Sequence, residues 1–134
     1  MSTFGAIDIS GSGLVAHRKW LDAISDNVAN MNDVTSTDQP AFAEEMVQAQ
    51  AVDYGSGNGG VAVTGIQHGS TAGTIVHDPT NPLADANGDV KMPDIDLGDQ
   101  MTQMIMAQRG YQANVQAMQA STQAYQAALQ LGKG

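Results

Sequence analysis

Two stretches of this chain carry apolar residues at helical spacing, and the region between them reads as short strands and turns. Near the start, Leu14, Leu21 and Val28 recur every seven residues, with Ile24 and Met31 three beyond the last two. That spacing predicts a helix over about Ser12 to Met31. Ile7 continues the stripe backward, but Gly5, Gly11 and Gly13 weaken its beginning. His17 takes the matching place between Leu14 and Leu21, and Asn30 and Asn32 suit a helix end. The last segment is more regular. Met101, Met104, Gln108, Tyr111, Val115, Met118, Thr122, Tyr125 and Leu129 alternate steps of three and four, a heptad seam sustained over four repeats. Asp94, Asp96 and Asp99 stand at its start and Lys133 at its end, each where the helix dipole favours its charge. Gly132 and Gly134 stop it, for a helix of about 50–55 Å.

The middle, Asp33 to Pro93, holds all four prolines and much of the glycine. Val61–Ile66, Thr74–Val76 and Asp89–Met92 read as strands, Ala86–Asp89 as a tight Asn-Gly turn, and Asp53–Gly60 as a flexible loop. A small β-unit with so few large apolar residues does not hold itself together alone. The expected fold is mainly α, with the N- and C-terminal helices pairing as a coiled coil and a small, β-rich, loop-rich middle region. The parts are residues 1–32, 33–93 and 94–134.

Composition sharpens this picture. The 134 residues include 42% apolar but only 4% aromatic side chains, which leaves little bulk for a core. With 14 acidic and 5 basic residues the formal net charge is −9. That opposes sequence-independent binding to nucleic acid or to anionic membrane surfaces, since both need clustered Lys and Arg. Without cysteine there is no disulfide framework, thiolate metal site or Cys nucleophile. Met1–Leu14 lacks a basic leader and is interrupted by Asp8, so export would proceed without a cleaved signal peptide. The charge-free run Tyr111–Gly132 is long enough to span a bilayer, but its six glutamines forbid it.

The last helix lacks the Glu and Lys of a solvated face. Its other positions hold glutamines and Ala113, Ala117, Ala120, Ala124, Ala127 and Ala128. Small residues admit close neighbours, and Gln offers hydrogen bonds without the desolvation cost of a charge. This helix is therefore expected to have neighbours on more than one side, although Ala and Gln also make plain soluble helices. Arg109, the only mid-helix charge, is either a side chain reaching solvent or an ion-pair partner for an acid on a neighbour. The seam residues expected to meet are Leu14, Leu21, Ile24 and Val28 against Met104, Tyr111, Val115, Met118, Tyr125 and Leu129, with Met101 at the start. Asn27, Asn30 and Asn114 are expected to hydrogen-bond between helices.

Catalytic patterns are missing. His17, His68 and His77 lie at unrelated spacings without an HExxH pair, no G-x-S-x-G elbow occurs, and Gly55–Gly60 is not followed by Lys-Ser/Thr. No catalytic, cofactor or metal site is expected. The rival to a structural role is a secreted calcium-dependent module using Asp85, Asn87, Asp89 and Asp96, which alternate partly as in an EF-hand loop. Val90 stands where that loop needs its glycine, and an ordinary Asx turn is the alternative.

Ser25–Asn32, closing the first helix, resembles the N-terminal signature of bacterial flagellar rod and hook proteins, and Ala107–Asn114 resembles their C-terminal one. Asp78-Pro79, Asn81–Gly88 and Val90–Pro93 are similar to the rod protein C branch of that family, the proximal rod. The resemblance implies a structural subunit whose terminal helices pair and stack helically around a narrow channel, with the middle lying farther out. It implies a hollow drive shaft that crosses the periplasm, transmits torque and passes exported subunits. The implied partners are other proximal and distal rod subunits, a membrane-ring and export-gate adapter protein, the flagellar export apparatus and copies of the chain itself. Another rod subunit of the same family is the nearest alternative.

Overall fold

The computed structural model describes residues 3–55 and 58–132. Two long helices, α1 (Thr3–Asn30) and α2 (Leu97–Leu131), make up roughly half of the chain. Between them run β1 (Glu45–Gly55), β2 (Asn58–His68), β3 (Thr74–His77) and β4 (Asp89–Met92). β1 pairs with β2 and β3 with β4, giving two separate two-stranded sheets. In the second sheet the strands are antiparallel, with Thr74 opposite Met92 and His77 opposite Asp89.

Two elements differ from expectation. α1 begins well before Ser12 and runs through Gly5, Gly11 and Gly13. Each glycine costs a helix about 1 kcal/mol relative to alanine, and here the missing side chains admit neighbours. A Cβ on Gly13 would lie 2.7 Å from Asn114 Oδ1. β1 carries the run Gln48-Ala49-Gln50-Ala51, poor in β-branched residues, and exposes most of its positions. With no buried face it shows no alternation, so it is invisible to pattern reading. Most of the stretch expected as a loop, Asp53–Gly60, belongs to the ends of β1 and β2, while residues 56 and 57 lie outside the described residues. The expected stop at Gly134 and the cation Lys133 also lie outside them.

The ends of the helices are capped locally. The Asp99 N–H donates to Asp96 Oδ1 at 2.9 Å, so Asp96 is the N-cap of α2. The Gly132 N–H donates to the Ala128 carbonyl at 3.1 Å in the last turn.

The chain divides into two compact units. One comprises Met1–Leu21, Gln48–Gly65 and Ile105–Gly134; the other comprises Asp22–Val47 and Ile66–Met104. Among the described residues, Ala16 and Ala107 are the buried apolar side chains of the first, and Ala23, Ile24, Ala41, Val90 and Pro93 those of the second. In the second unit β4 is held on its other side by Thr35, which exchanges two backbone bonds of 2.8 and 2.9 Å with Lys91.

Candidate functional site

In the first unit the helices touch through their smallest residues. A Cβ on Gly110 would overlap the His17 ring, and one on Gly11 would lie 3.5 Å from Met118 Cε. The His17 ring is fixed by Nδ1, 2.7 Å from the Gly13 carbonyl. A carbonyl only accepts, so Nδ1 carries the proton and Nε2 faces Gly110 unprotonated when the ring is neutral. Asn114 donates to the Gly110 carbonyl at 2.9 Å and lies 3.4 Å from His17 Nδ1. Ser12 ties β2 to α1: its Oγ donates to Ile9 O at 2.7 Å and accepts from the Val61 N–H at 3.0 Å. A cleft of about 370 Å³ opens beside it, lined by Gly5, Asp8, Ser12, Tyr54, Gly59, Gly60 and Val61.

In the second unit the junction is polar. Asn27, 1% exposed, uses both ends of its amide on Glu45: Nδ2 donates to the Glu45 carbonyl at 2.9 Å and Oδ1 accepts its N–H at 2.7 Å. The other Nδ2 hydrogen reaches Gln100 Oε1 at 3.0 Å, and Gln100 Nε2 donates to Glu44 Oε1 at 2.7 Å. One asparagine thereby binds the end of α1 to the start of β1 and the start of α2, with its donors and acceptor engaged.

The expected seam residues fall into three groups. Ile24 and Asn27 are buried. Leu14, Leu21, Val28, Met104, Asn114, Val115, Met118 and Tyr125 are half-buried, as is Asn30, whose Nδ2 donates within its own helix to Asp26 O at 2.8 Å. Met101, Arg109, Tyr111 and Leu129 are exposed. Arg109 pairs with no carboxylate among the described residues, where the one ion-pair contact is His77–Asp89 at 2.8 Å.

Ile24 apart, the most shielded positions lie one residue earlier than the large apolar side chains suggest. In α2 they are Gln100, Ala107, Asn114 and Ser121, every seventh residue, beside Met104, Gly110, Met118 and Tyr125. In α1 they include Gly13, Ala16, Ala23 and Asn27. Pattern reading favours bulk and so missed Gly13, Gln100, Ala107 and Gly110. The signal that finds them is a heptad of small and amide residues running beside the apolar one.

The acids singled out for calcium already hold partners within the protein. Asp85 Oδ1 accepts the N–H groups of Asn87 (2.8 Å) and Asp89 (3.1 Å), and its Oδ2 accepts the Thr37 hydroxyl (3.1 Å). Asp89 pairs with His77 and Asp96 caps α2. Among the described residues no group of three or more His, Asp or Glu is placed to hold a metal ion. The bonds from the Asp89 and Asn87 backbones hold the Asp85 carboxyl below the usual carboxylate range, and the Thr80 hydroxyl does the same for Asp78. Gly88, at φ 81°, closes this turn where a side chain would be strained.

Residues 7–35 match the model of the flagella basal body rod protein family. Residues 86–131 match that of the flagellar basal body rod FlgEFG protein C-terminal region. The flagellar basal-body rod protein FlgC of Yersinia enterocolitica is 38% identical over 134 residues, covering 99% of this chain and 100% of that protein. FlgC of Salmonella typhimurium is 39% identical over 119 residues, covering 88% of this chain and 89% of the relative. FlgC of Bacillus subtilis is 34% identical over 151 residues, covering 99% and 100%. The chain belongs to the flagellar basal-body rod protein FlgC family. It is a structural subunit of the basal-body rod and not an enzyme. The two family regions cover all of α2 and α1 from Ile7 onward, and no helix among the described residues is long and apolar enough to cross a membrane.

Proposed function

We propose that this FlgC-family chain is a proximal rod subunit whose α1 and α2 pair as a coiled coil in the inner wall of a hollow, helically assembled drive shaft. Residues 1–32 and 94–134 form that axial core and residues 33–93 lie outward. The shaft crosses the periplasm, transmits torque and passes exported subunits. Its partners are copies of itself, other proximal and distal rod subunits, a membrane-ring and export-gate adapter and the export apparatus, which secretes the chain without a cleaved signal peptide.

The observation that carries this reading is the close approach of α1 to α2 at His17–Gly110 and Gly13–Asn114. Small residues at a helix contact bring backbones together, as a tightly wound wall requires. The exposed side of α2 supports it: Gln112, Gln116, Ala117, Gln119, Ala120 and Ala124 are exposed and uncharged. Such a surface suits packing against neighbours or lining a polar channel. The interface residues are Leu14, Leu21, Ile24, Asn27, Val28 and Asn30 on α1. On α2 they are Met101, Met104, Arg109, Tyr111, Asn114, Val115, Met118, Tyr125 and Leu129.

Deleting the gene and imaging purified basal bodies by electron microscopy tests the assignment. Rings without rods, restored by the intact gene, are expected. Complete rods and hooks in the deletion strain would overturn it. In the restored strain, Leu21→Asp is expected to abolish incorporation, because it puts a charge on the half-buried flank of the helix contact.

A further inference from the structure

The two compact units carry opposite charge. The first holds four basic residues (Arg18, Lys19, Arg109, Lys133) and two acidic ones (Asp8, Asp53), a formal charge of +2. The second holds twelve acidic residues against Lys91 alone, a formal charge of −11. A cleft of about 310 Å³ lies within this second unit, lined by Met31, Val76, Met92, Pro93 and Ile95 with the exposed Asp94 and Asp96 beside them. Asp96 is engaged as the α2 cap. Asp94 bonds to nothing among the described residues.

The first unit presents a matching surface. Ile105 and Met106 are 49% and 56% exposed. Arg109 stands one turn beyond Ile105 on the same helix face, exposed and without a carboxylate partner. An isoleucine side chain and an arginine stem suit the Val76, Met92 and Ile95 side of this mixed cleft, which Asn32 and Thr74 also line, and the guanidinium suits its carboxylate edge.

We propose that the cleft receives the Ile105–Arg109 face of a second copy of the chain, with Arg109 paired to Asp94. The proposal rests on the reading of the chain as a self-assembling rod subunit and names the contact. The two surfaces differ, so each copy that docks leaves one surface of each kind open, and the series continues rather than closing as a dimer. Two acidic units repel one another, which suppresses the symmetric contact.

Sedimentation velocity of the purified full-length chain tests this, with circular dichroism confirming that each variant is folded. Self-association is expected at about 20 mM salt and is expected to weaken about tenfold or more by about 0.5 M, since screening shortens the reach of the charges. Asp94→Arg and Arg109→Asp should each weaken it about tenfold or more. The double variant Asp94→Arg/Arg109→Asp should regain it. Mixing the two single variants should also regain it, because each supplies the surface the other lacks. A chain that stays monomeric at low salt, associates independently of salt, ignores the single substitutions, or is not restored by mixing would overturn the proposal. A monomeric chain would assign the cleft to some other occupant. Rod assembly in the deletion strain is read separately, so a chain that restores rods yet fails here loses this contact and keeps the rod assignment.

Discussion

Asn27 pairs with the backbone of Glu45 as one strand pairs with another, giving one hydrogen bond and accepting one through the same side-chain amide. No other residue type at position 27 presents that donor–acceptor pair at that reach. Asn27→Ala leaves the part-buried N–H and C=O of Glu45 without their side-chain partner and strips the buried Gln100 Oε1 of its donor. The expected loss is about 2–4 kcal/mol of unfolding free energy. Asn27→Asp should cost at least as much, because a carboxylate cannot donate to the Glu45 carbonyl or to Gln100. Urea unfolding of the two variants checks this; a loss below about 0.5 kcal/mol for both would remove the junction.

Ile24 is the one large aliphatic side chain of α1 that is fully buried, at 1% exposure. Ile24→Ala is expected to cost about 2–4 kcal/mol. Val15, on the same helix and exposed, should tolerate alanine within about 0.5 kcal/mol. Equal midpoints for the two variants in thermal unfolding would contradict the burial assigned to this face.

Both helices and the last two strands were legible because each rule used matched what holds those elements. Heptad spacing reports α2 whether the seam is bulky or small, and β4 carries the buried Val90 that its alternation implies. The phase of the seam was not legible. Apolar-period reading weights Leu14, Leu21 and Tyr111, whereas close approach selects Gly13, Ala16, Ala107 and Gly110, which carry almost no hydrophobic signal. β1 was hidden for a related reason: its Gln and Ala positions bury no face, and its pairing with β2 is backbone work. The sequence marks Asn27, Asn30 and Asn114 alike, but Asn30 bonds within its own helix, and that Asn27 reads a strand as well as a helix depends on where Glu45 lies.

The Asp78–Asp89 loop is built on carboxylates, so its stability should depend on pH in one direction. Asp78 and Asp85 both titrate below the ordinary carboxylate value when folded. Their stabilising contribution is therefore present at neutral pH, above the unfolded value of about 4, and is lost as pH falls through the lower folded value. The protection factors of the Asn87 and Asp89 amides, corrected for the intrinsic pH dependence of exchange, should be high at about pH 5 and fall more steeply than those of the helices below about pH 4. Asp85→Asn should flatten that pH dependence. Protection unchanged down to about pH 2 would show that the charge on these side chains is not what holds the turn.

Gly110 sits where α2 meets the His17 ring, and a methyl group there has no room. Alanine favours a helix over glycine by about 1 kcal/mol, so propensity alone predicts that Gly110→Ala stabilises. The geometry predicts the reverse. The added Cβ overlaps a ring that cannot swing aside freely, because its Nδ1–H is bonded to the Gly13 carbonyl. The expected outcome is a net loss of about 1–3 kcal/mol, the usual cost of overpacking. His17→Ala clears the space at the cost of the ring's own contacts. In the double variant His17→Ala/Gly110→Ala the overlap is gone and the helix propensity remains. The double variant should therefore be more stable than the sum of the two single losses allows, a coupling of about 1 kcal/mol or more in a double-mutant cycle. Additive losses, or a stabilised Gly110→Ala, would mean that α1 and α2 do not meet at these residues, and the close helix contact would have to be sought elsewhere along the seam.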